Sequence, residues 1–143
     1  MAINERTVMR LQWKMHKLMW NLSGGRLGRK VNGMPVVEVV AIGHKSGQPR
    51  QILIFSIDDG GVPAIVGTNA GKDVDPAWAK NLRSNPQARA RWDGVWQDIS
   101  AVELEGDDHE RVWQLAVDTF PGYGEYRTRL TRPVPIFRLE PAR

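Results

Sequence analysis

Apolar residues recur at helical spacing over the first 22 positions, and the period then changes. At about 100° per residue, Val8, Leu11, Met15, Leu18, Met19 and Leu22 share one face of a helix, and Arg6, Arg10, Lys14 and Lys17 gather opposite. Met9, Trp13, His16 and Trp20 fill the flank between them, so the apolar arc is wider than one packing contact requires. A core-docking helix explains the arc. So does a lid, or a helix resting on an anionic membrane with its tryptophans at the interface. The pattern leaves these readings open.

Ser23–Pro35 (SGGRLGRKVNGMP) breaks the periodicity with four glycines and reads as a loop. Strands then dominate. Val36–Ile42 (VVEVVAI) is a β-branched run with one charge, Glu38, as expected of a strand buried on most of both faces. The turn HKSGQP leads to a second strand, Arg50–Ile57, and Asp58-Asp59-Gly60-Gly61 to a third, Val62–Thr68. Asp75-Pro76 marks a helix start for Ala77–Arg83, with Asp75 as cap. Ala88–Trp92 and Val95–Leu104 are strands joined by Asp93-Gly94, a strong two-residue hairpin signal. A helix from about Asp108 to Phe120 follows, with Asp107 at the cap and Glu110 three residues later. A Pro-Gly-Tyr-Gly loop and a last strand, Val134–Leu139, end the chain. Hairpin connections with short helical excursions favour an α+β, mainly β, antiparallel barrel over a doubly wound sheet.

Composition narrows the class. A chain of 143 residues, 41% apolar and 25% charged, suits one globular domain spanning 1–143. No apolar run reaches the roughly 18–20 residues of a membrane span, and charges interrupt the first segment where a signal peptide would be apolar. The absence of cysteine removes disulfides, thiolate nucleophiles and cysteine-based metal sites, and makes the reducing cytoplasm the expected compartment. The net charge of +4 conceals an asymmetry. Residues 1–50 carry nine Lys/Arg against Glu5 and Glu38, whereas residues 51–143 carry eleven against fourteen Asp/Glu. A local anion site is the expectation; no nucleic-acid motif accompanies the charge.

Most catalytic constellations are missing. His16, His44 and His109 lie far apart, so no metal site is expected, and no serine sits in G-x-S-x-G. Asp73 and Asp75 read as turn and cap residues. The informative segment is Gly43-His44-Lys45-Ser46-Gly47-Gln48-Pro49-Arg50, between two buried strands. Backbone N–H groups of such a turn can point at phosphate oxygens while Lys45 and Arg50 neutralise charge. The same composition also suits a plain solvated turn. It does not fit the Walker pattern, so an NTPase is not expected.

GHKSGQPR, NAGKDVDPAWAKNLRSNP and FPGYGEYRTRLTRPVPIFRLEP together resemble, in order and spacing, the deazaflavin-dependent nitroreductase family of actinobacteria. The resemblance covers nearly the whole chain. It implies a split β-barrel of the FMN-binding type and coenzyme F420, an 8-hydroxy-5-deazaflavin carrying a phosphate and a polyglutamate tail, with FMN less favoured. It implies that His44, Lys45, Ser46, Gly47, Gln48, Pro49 and Arg50 hold the anionic side of the cofactor, and that Gln51, Ile52, Leu53, Ile54 and Phe55 pass along it. Val66, Gly67, Thr68 and Asn69 would line the ring, and Ala77, Trp78, Ala79, Lys80 and Asn81 would close the site. Tyr123 and Tyr126 would face the acceptor of a hydride, a quinone, enone or nitro compound. An F420 or FMN carrier without substantial turnover is the alternative, and monomer and dimer both stay open. His44 stands where the family usually has arginine, Phe120 where it has tyrosine, and Thr68-Asn69-Ala70-Gly71 where a serine-led loop is common.

Overall fold

The computed structural model describes Lys14, residues 30–31 and residues 34–142. The amphipathic helix expected over residues 1–22, with its lid and membrane readings, therefore lies outside the described residues apart from Lys14.

The strands are β1 (Lys30–Val31), β2 (Met34–Ile42), β3 (Pro49–Phe55), β4 (Ile57–Asp59), β5 (Val62–Val66), β6 (Gln87–Trp92), β7 (Val95–Glu103) and β8 (Ile136–Pro141). Helices α1 (Ala77–Ser84), α2 (Gly106–Thr119) and α3 (Gly122–Thr128) interrupt them. All pairings are antiparallel, in the order β1-β2-β6-β7-β8-β5-β4, with β3 on the other side of β2. The segment expected as one loop over Ser23–Pro35 thus contributes β1, which pairs with Met34 and Pro35.

The strand expected as Arg50–Ile57 is two strands. Its first part pairs with β2, its second with β5 at the far end of the sheet path, and Ser56 alone separates them. Ser56 N–H donates to the Pro35 carbonyl at 2.9 Å, so the backbone group freed by the change of partner is satisfied. This single residue curls the sheet on itself. The result is the mainly β split barrel expected from the resemblance.

Alternation along the strands builds two apolar clusters. Val37, Val39, Ala41, Ile65, Ala90, Ile99, Phe137 and Leu139 form the barrel interior, and α1 stops it with Ala79 and Leu82. Trp78 adds an edge-on contact with Phe137, centroids 5.8 Å apart. On the other face, Ala64, Val66 and Ile136 pack beneath Val112, Trp113 and Ala116 of α2 and Tyr123 of α3.

The hairpin signals hold at the level of φ. Gly60 and Gly61 (φ 65 and 90) and Asp93 and Gly94 (φ 53 and 76) take the left-handed conformations a two-residue turn needs. The helix starts differ. α1 is preceded by Pro76 and α2 by Glu105, neither with a side-chain cap, so Asp75 and Asp107 do not cap as expected. Asp107 and Asp108 lie instead in the first turn of α2, where the helix dipole favours them. The Pro-Gly-Tyr-Gly stretch expected as a loop opens α3; burial of Tyr123 against Trp113 and Phe120 outweighs the low helix propensity of its glycines.

Candidate active site

The basic turn forms because β2 and β3 must reverse within six residues. Gly43 N–H donates to Gln48 O at 2.8 Å, Gly47 N–H to Gly43 O at 2.9 Å, and Gln48 N–H to Ser46 Oγ at 3.2 Å. Gly47 takes φ 68, which suits glycine. A side chain at buried Gly43 would meet Ser46 Oγ at 2.5 Å and Gln48 O at 3.3 Å, so the turn closes over it.

Asn81 holds this turn from outside. Its Oδ1 accepts from the His44 backbone N–H at 2.9 Å and lies 2.7 Å from His44 Nδ1. Since an amide oxygen only accepts, the ring donates from Nδ1 in this contact. Asn81 is 6% exposed, fixed on the helix that stops the barrel. The contact between His44 and Asn81, 37 residues apart, therefore joins the first two sequence blocks into one unit.

His44 through Gln51 are exposed, and Ile52, Leu53, Ile54 and Phe55 half-buried. Among the described residues, β3 pairs only with β2, so these side chains lie along the open seam of the barrel. Ile52 and Ile54 pack on the interior cluster and Phe55 on the helical one. Gln51 turns to the outer face, hydrogen-bonded to buried Glu38, which Arg91 also engages at 2.7 Å. Among the described residues, Lys45, Arg50 and Lys80 form no ion pair with a carboxylate. Ala77 and Lys80 are exposed on α1, Trp78 half-buried and Ala79 fully buried.

Past β5, Gly67 N–H donates to Pro135 O at 2.8 Å, and a Cβ at Gly67 would meet Pro135 Cγ at 2.7 Å. Close approach of two backbones requires glycine here. Thr68 is buried, and Asn69, Ala70 and Gly71 all take positive φ (52, 53 and 82). Asn69 Nδ2 donates to Val74 O at 3.1 Å. Tyr126 borders this turn, its ring 3.5 Å from where a Cβ of Gly71 would stand.

Tyr123 is 7% exposed, edge-on to Phe120 with centroids 5.3 Å apart and tilted against Trp113 at 6.4 Å. Its hydroxyl has no hydrogen-bond partner among the described residues. Burial, with a smaller push from Tyr126, raises its phenol to about 12. The group stays protonated at neutral pH, a standing O–H donor. Phe120, at the family's usual tyrosine position, serves as a ring for Tyr123 to pack on.

Sequence reasoning missed the polar girder behind the 67–72 loop. Arg132 donates to the carbonyls of Gly67, Thr68 and Lys72 at 3.2, 3.2 and 3.0 Å and to Asp75 at 3.0 Å. Asp73 takes the N–H of Thr131 at 2.9 Å and its hydroxyl, bonds that hold its carboxyl below the usual range. Asp75 also meets Arg83 at 3.3 Å, and Arg83 grips Glu103 at 2.8 Å. Asp75, Arg83, Glu103 and Arg132 wall a cleft of about 660 Å³ that Lys80 and His109 also line. The only signal was the third block itself, in which Arg132 precedes Pro133-Val134-Pro135.

Residues 12–141 match the family model for F420H(2)-dependent quinone reductases. The chain belongs to this family. Within reach of the quinone reductase family is an F420H(2)-dependent quinone reductase of Mycobacterium tuberculosis (strain ATCC 25618 / H37Rv), 27% identical over 127 residues that make up 86% of this chain and 85% of that protein. A solved F420-H2 dependent reductase is 34% identical, covering 74% of this chain and 94% of its own, with a TM-score of 0.68. A second solved chain, a domain-swapped dimer, is 31% identical over 92% and 99% of the two chains, with a TM-score of 0.70.

Proposed function

We propose that this protein reduces quinones with reduced coenzyme F420, in the cytoplasm. The observation that carries the reading is the exposed turn of Lys45 and Arg50, pinned by a buried amide to α1 in a chain of the quinone reductase family. The residues fit the cofactor's chemistry. A phosphate and a polyglutamate tail need cations not already engaged, and among the described residues Lys45, Arg50 and Lys80 are such cations.

His44, Lys45, Ser46, Gly47, Gln48, Pro49 and Arg50 hold the anionic side. The turn's backbone N–H groups and two fixed charges act there together. The seam from Gln51 to Phe55 runs beside the cofactor, and Val66, Gly67, Thr68 and Asn69 line the ring with backbone groups. Ala77, Trp78, Ala79, Lys80 and Asn81 close the site from α1. Fixing these parts in advance lowers the ordering cost of each encounter. When bound, reduced F420 supplies a hydride, so a quinone gains two electrons and, with two protons in all, becomes the quinol. Tyr123 and Tyr126 face the acceptor. The Tyr123 phenol, raised to about 12, donates a hydrogen bond to the quinone oxygen without surrendering its proton, and stabilises negative charge as it develops. Water delivers the final proton.

Mixing the protein with F420H2 and menadione, and following cofactor oxidation, tests the reading. Saturable turnover supports it. Tight F420 binding without turnover across quinones would make the protein a carrier instead. Absence of F420 binding would overturn both.

A further inference from the structure

Asn69, Ala70 and Gly71 form a left-handed turn at the loop assigned to the cofactor ring. Gly71 N–H donates to Thr68 O at 3.0 Å and Lys72 N–H to Asn69 O at 3.1 Å. Left-handed φ is costly for a residue with a Cβ, and Ala70, at φ 53 and ψ 35, has no polar side chain to compensate. Such a conformation persists only where the surroundings impose it.

The surroundings converge on one side chain. Arg132 Nη2 reaches Thr68 O at 3.2 Å and Lys72 O at 3.0 Å, the carbonyls on either flank of the strained turn. Its Nη1 reaches Gly67 O at 3.2 Å, Pro133 O at 3.3 Å and Asp75 Oδ1 at 3.0 Å. The carboxylate orients the fork, and Arg83 at 3.3 Å holds the carboxylate. Arg132 Nε is buried without a partner among the described residues, so there the side chain gives up one hydrogen bond in the pose that serves both flanks. A lysine ammonium, a single point of three donors, cannot span both flanks and keep Asp75 as a planar fork does.

We infer that Arg132 is a positioning residue for the reaction: it holds residues 69–71 left-handed, and so presents the backbone of Val66 to Asn69 to the cofactor ring in the conformation that binds it. Its own donors are committed to the loop and to Asp75, so it acts through the turn. The inference rests on the proposed F420 reading, because only that reading makes this loop a ring site.

Arg132→Lys and the double variant Arg132→Lys/Ala70→Gly test it, with two readouts. Backbone 13C shifts of Asn69–Gly71 in the free protein report the turn without any cofactor. Fluorescence titration reports F420 affinity. Arg132→Lys should move Ala70 to right-handed φ and raise the F420 Kd at least tenfold. Ala70→Gly, which removes the steric objection to left-handed φ, should restore most of that affinity in the Arg132→Lys background. A purely structural role would lower Tm and affinity in proportion, and glycine would rescue neither. The inference is overturned if Ala70 stays left-handed in Arg132→Lys, or if the turn relaxes and F420 affinity does not change. If the parent protein binds no F420, the ring-site reading falls and the inference falls with it, whereas the shifts still show whether Arg132 holds the turn.

Discussion

Asn81→Ala bears most directly on how the 43–50 turn is built. The amide is 6% exposed, and its oxygen takes both His44 donors, at 2.9 and 2.7 Å. Each hydrogen bond contributes about 1 kcal/mol net. Because His44 is exposed, water replaces the lost acceptor, and the pair together is worth about 1–2 kcal/mol. In a domain of this size that lowers Tm by roughly 3–8 °C. Cofactor affinity should fall by more. Fixing a freed backbone residue costs about 1–2 kcal/mol, so re-ordering only two residues of the turn on binding amounts to about 30-fold or more in Kd. Asn81→Asp supplies the control. Its carboxylate accepts from both His44 donors and keeps the turn, but sets a negative charge beside Lys45 and Lys80. It should hold Tm near the parent value and still weaken an anionic ligand. Differential scanning calorimetry and fluorescence titration with F420 measure the two quantities. An Asn81→Ala protein that loses the expected Tm yet binds F420 within threefold of the parent would refute the reasoning.

Two further outcomes are expected. Lys45→Ala/Arg50→Ala removes exposed cations, which contribute little to stability. Tm should stay within about 2 °C while the F420 Kd rises more than tenfold and loses much of its salt dependence; equal losses of stability and binding would make the turn structural. For Tyr123→Phe the sign follows from a phenol raised above its ordinary value of 10 to about 12. Stability tied to the neutral phenol is complete below pH 10 and lost as pH climbs through 12. Denaturant titrations should therefore show the parent losing about 1.4 kcal/mol more than Tyr123→Phe between pH 8 and pH 11. Turnover of menadione by the variant should fall as well, through kcat. Parallel pH curves for the two proteins would count against a buried, protonated Tyr123.

The parts of the fold that were legible are those governed by local chemistry. VVEVVAI announced a buried strand, and Asp93-Gly94 and Gly60-Gly61 announced turns that demand positive φ. The site was legible as three blocks, because the family's spacing survives even where His44 and Phe120 depart from it. What escaped was decided at a distance. Nothing in RQILIFSI marks Ser56 as the point where the chain leaves β2 for β5, since both halves are equally good strand sequence. Asp75 looked like a cap because Asp-Pro usually is one, and its carboxylate instead serves Arg132 and Arg83. Apart from Asp75, the grip of Arg132 runs to backbone carbonyls, which every residue has, so beyond its place in the third block no residue pattern marked its role.

The chain order of these contacts sets an order in time. Turn 43–50 and its peg Asn81 draw only on β2, β3 and α1, all of which precede residue 85. The 67–72 loop must wait for Arg132, 64 residues beyond Thr68, and for β8 to pair with β5. Contacts this far apart close late, after shorter loops have formed. During synthesis the 43–50 turn thus has its partners well before the 67–72 loop has its own. The segment that carries β8 also brings Arg132, and under the F420 reading proposed above it adds a place for a flat heterocycle to a hairpin for phosphate.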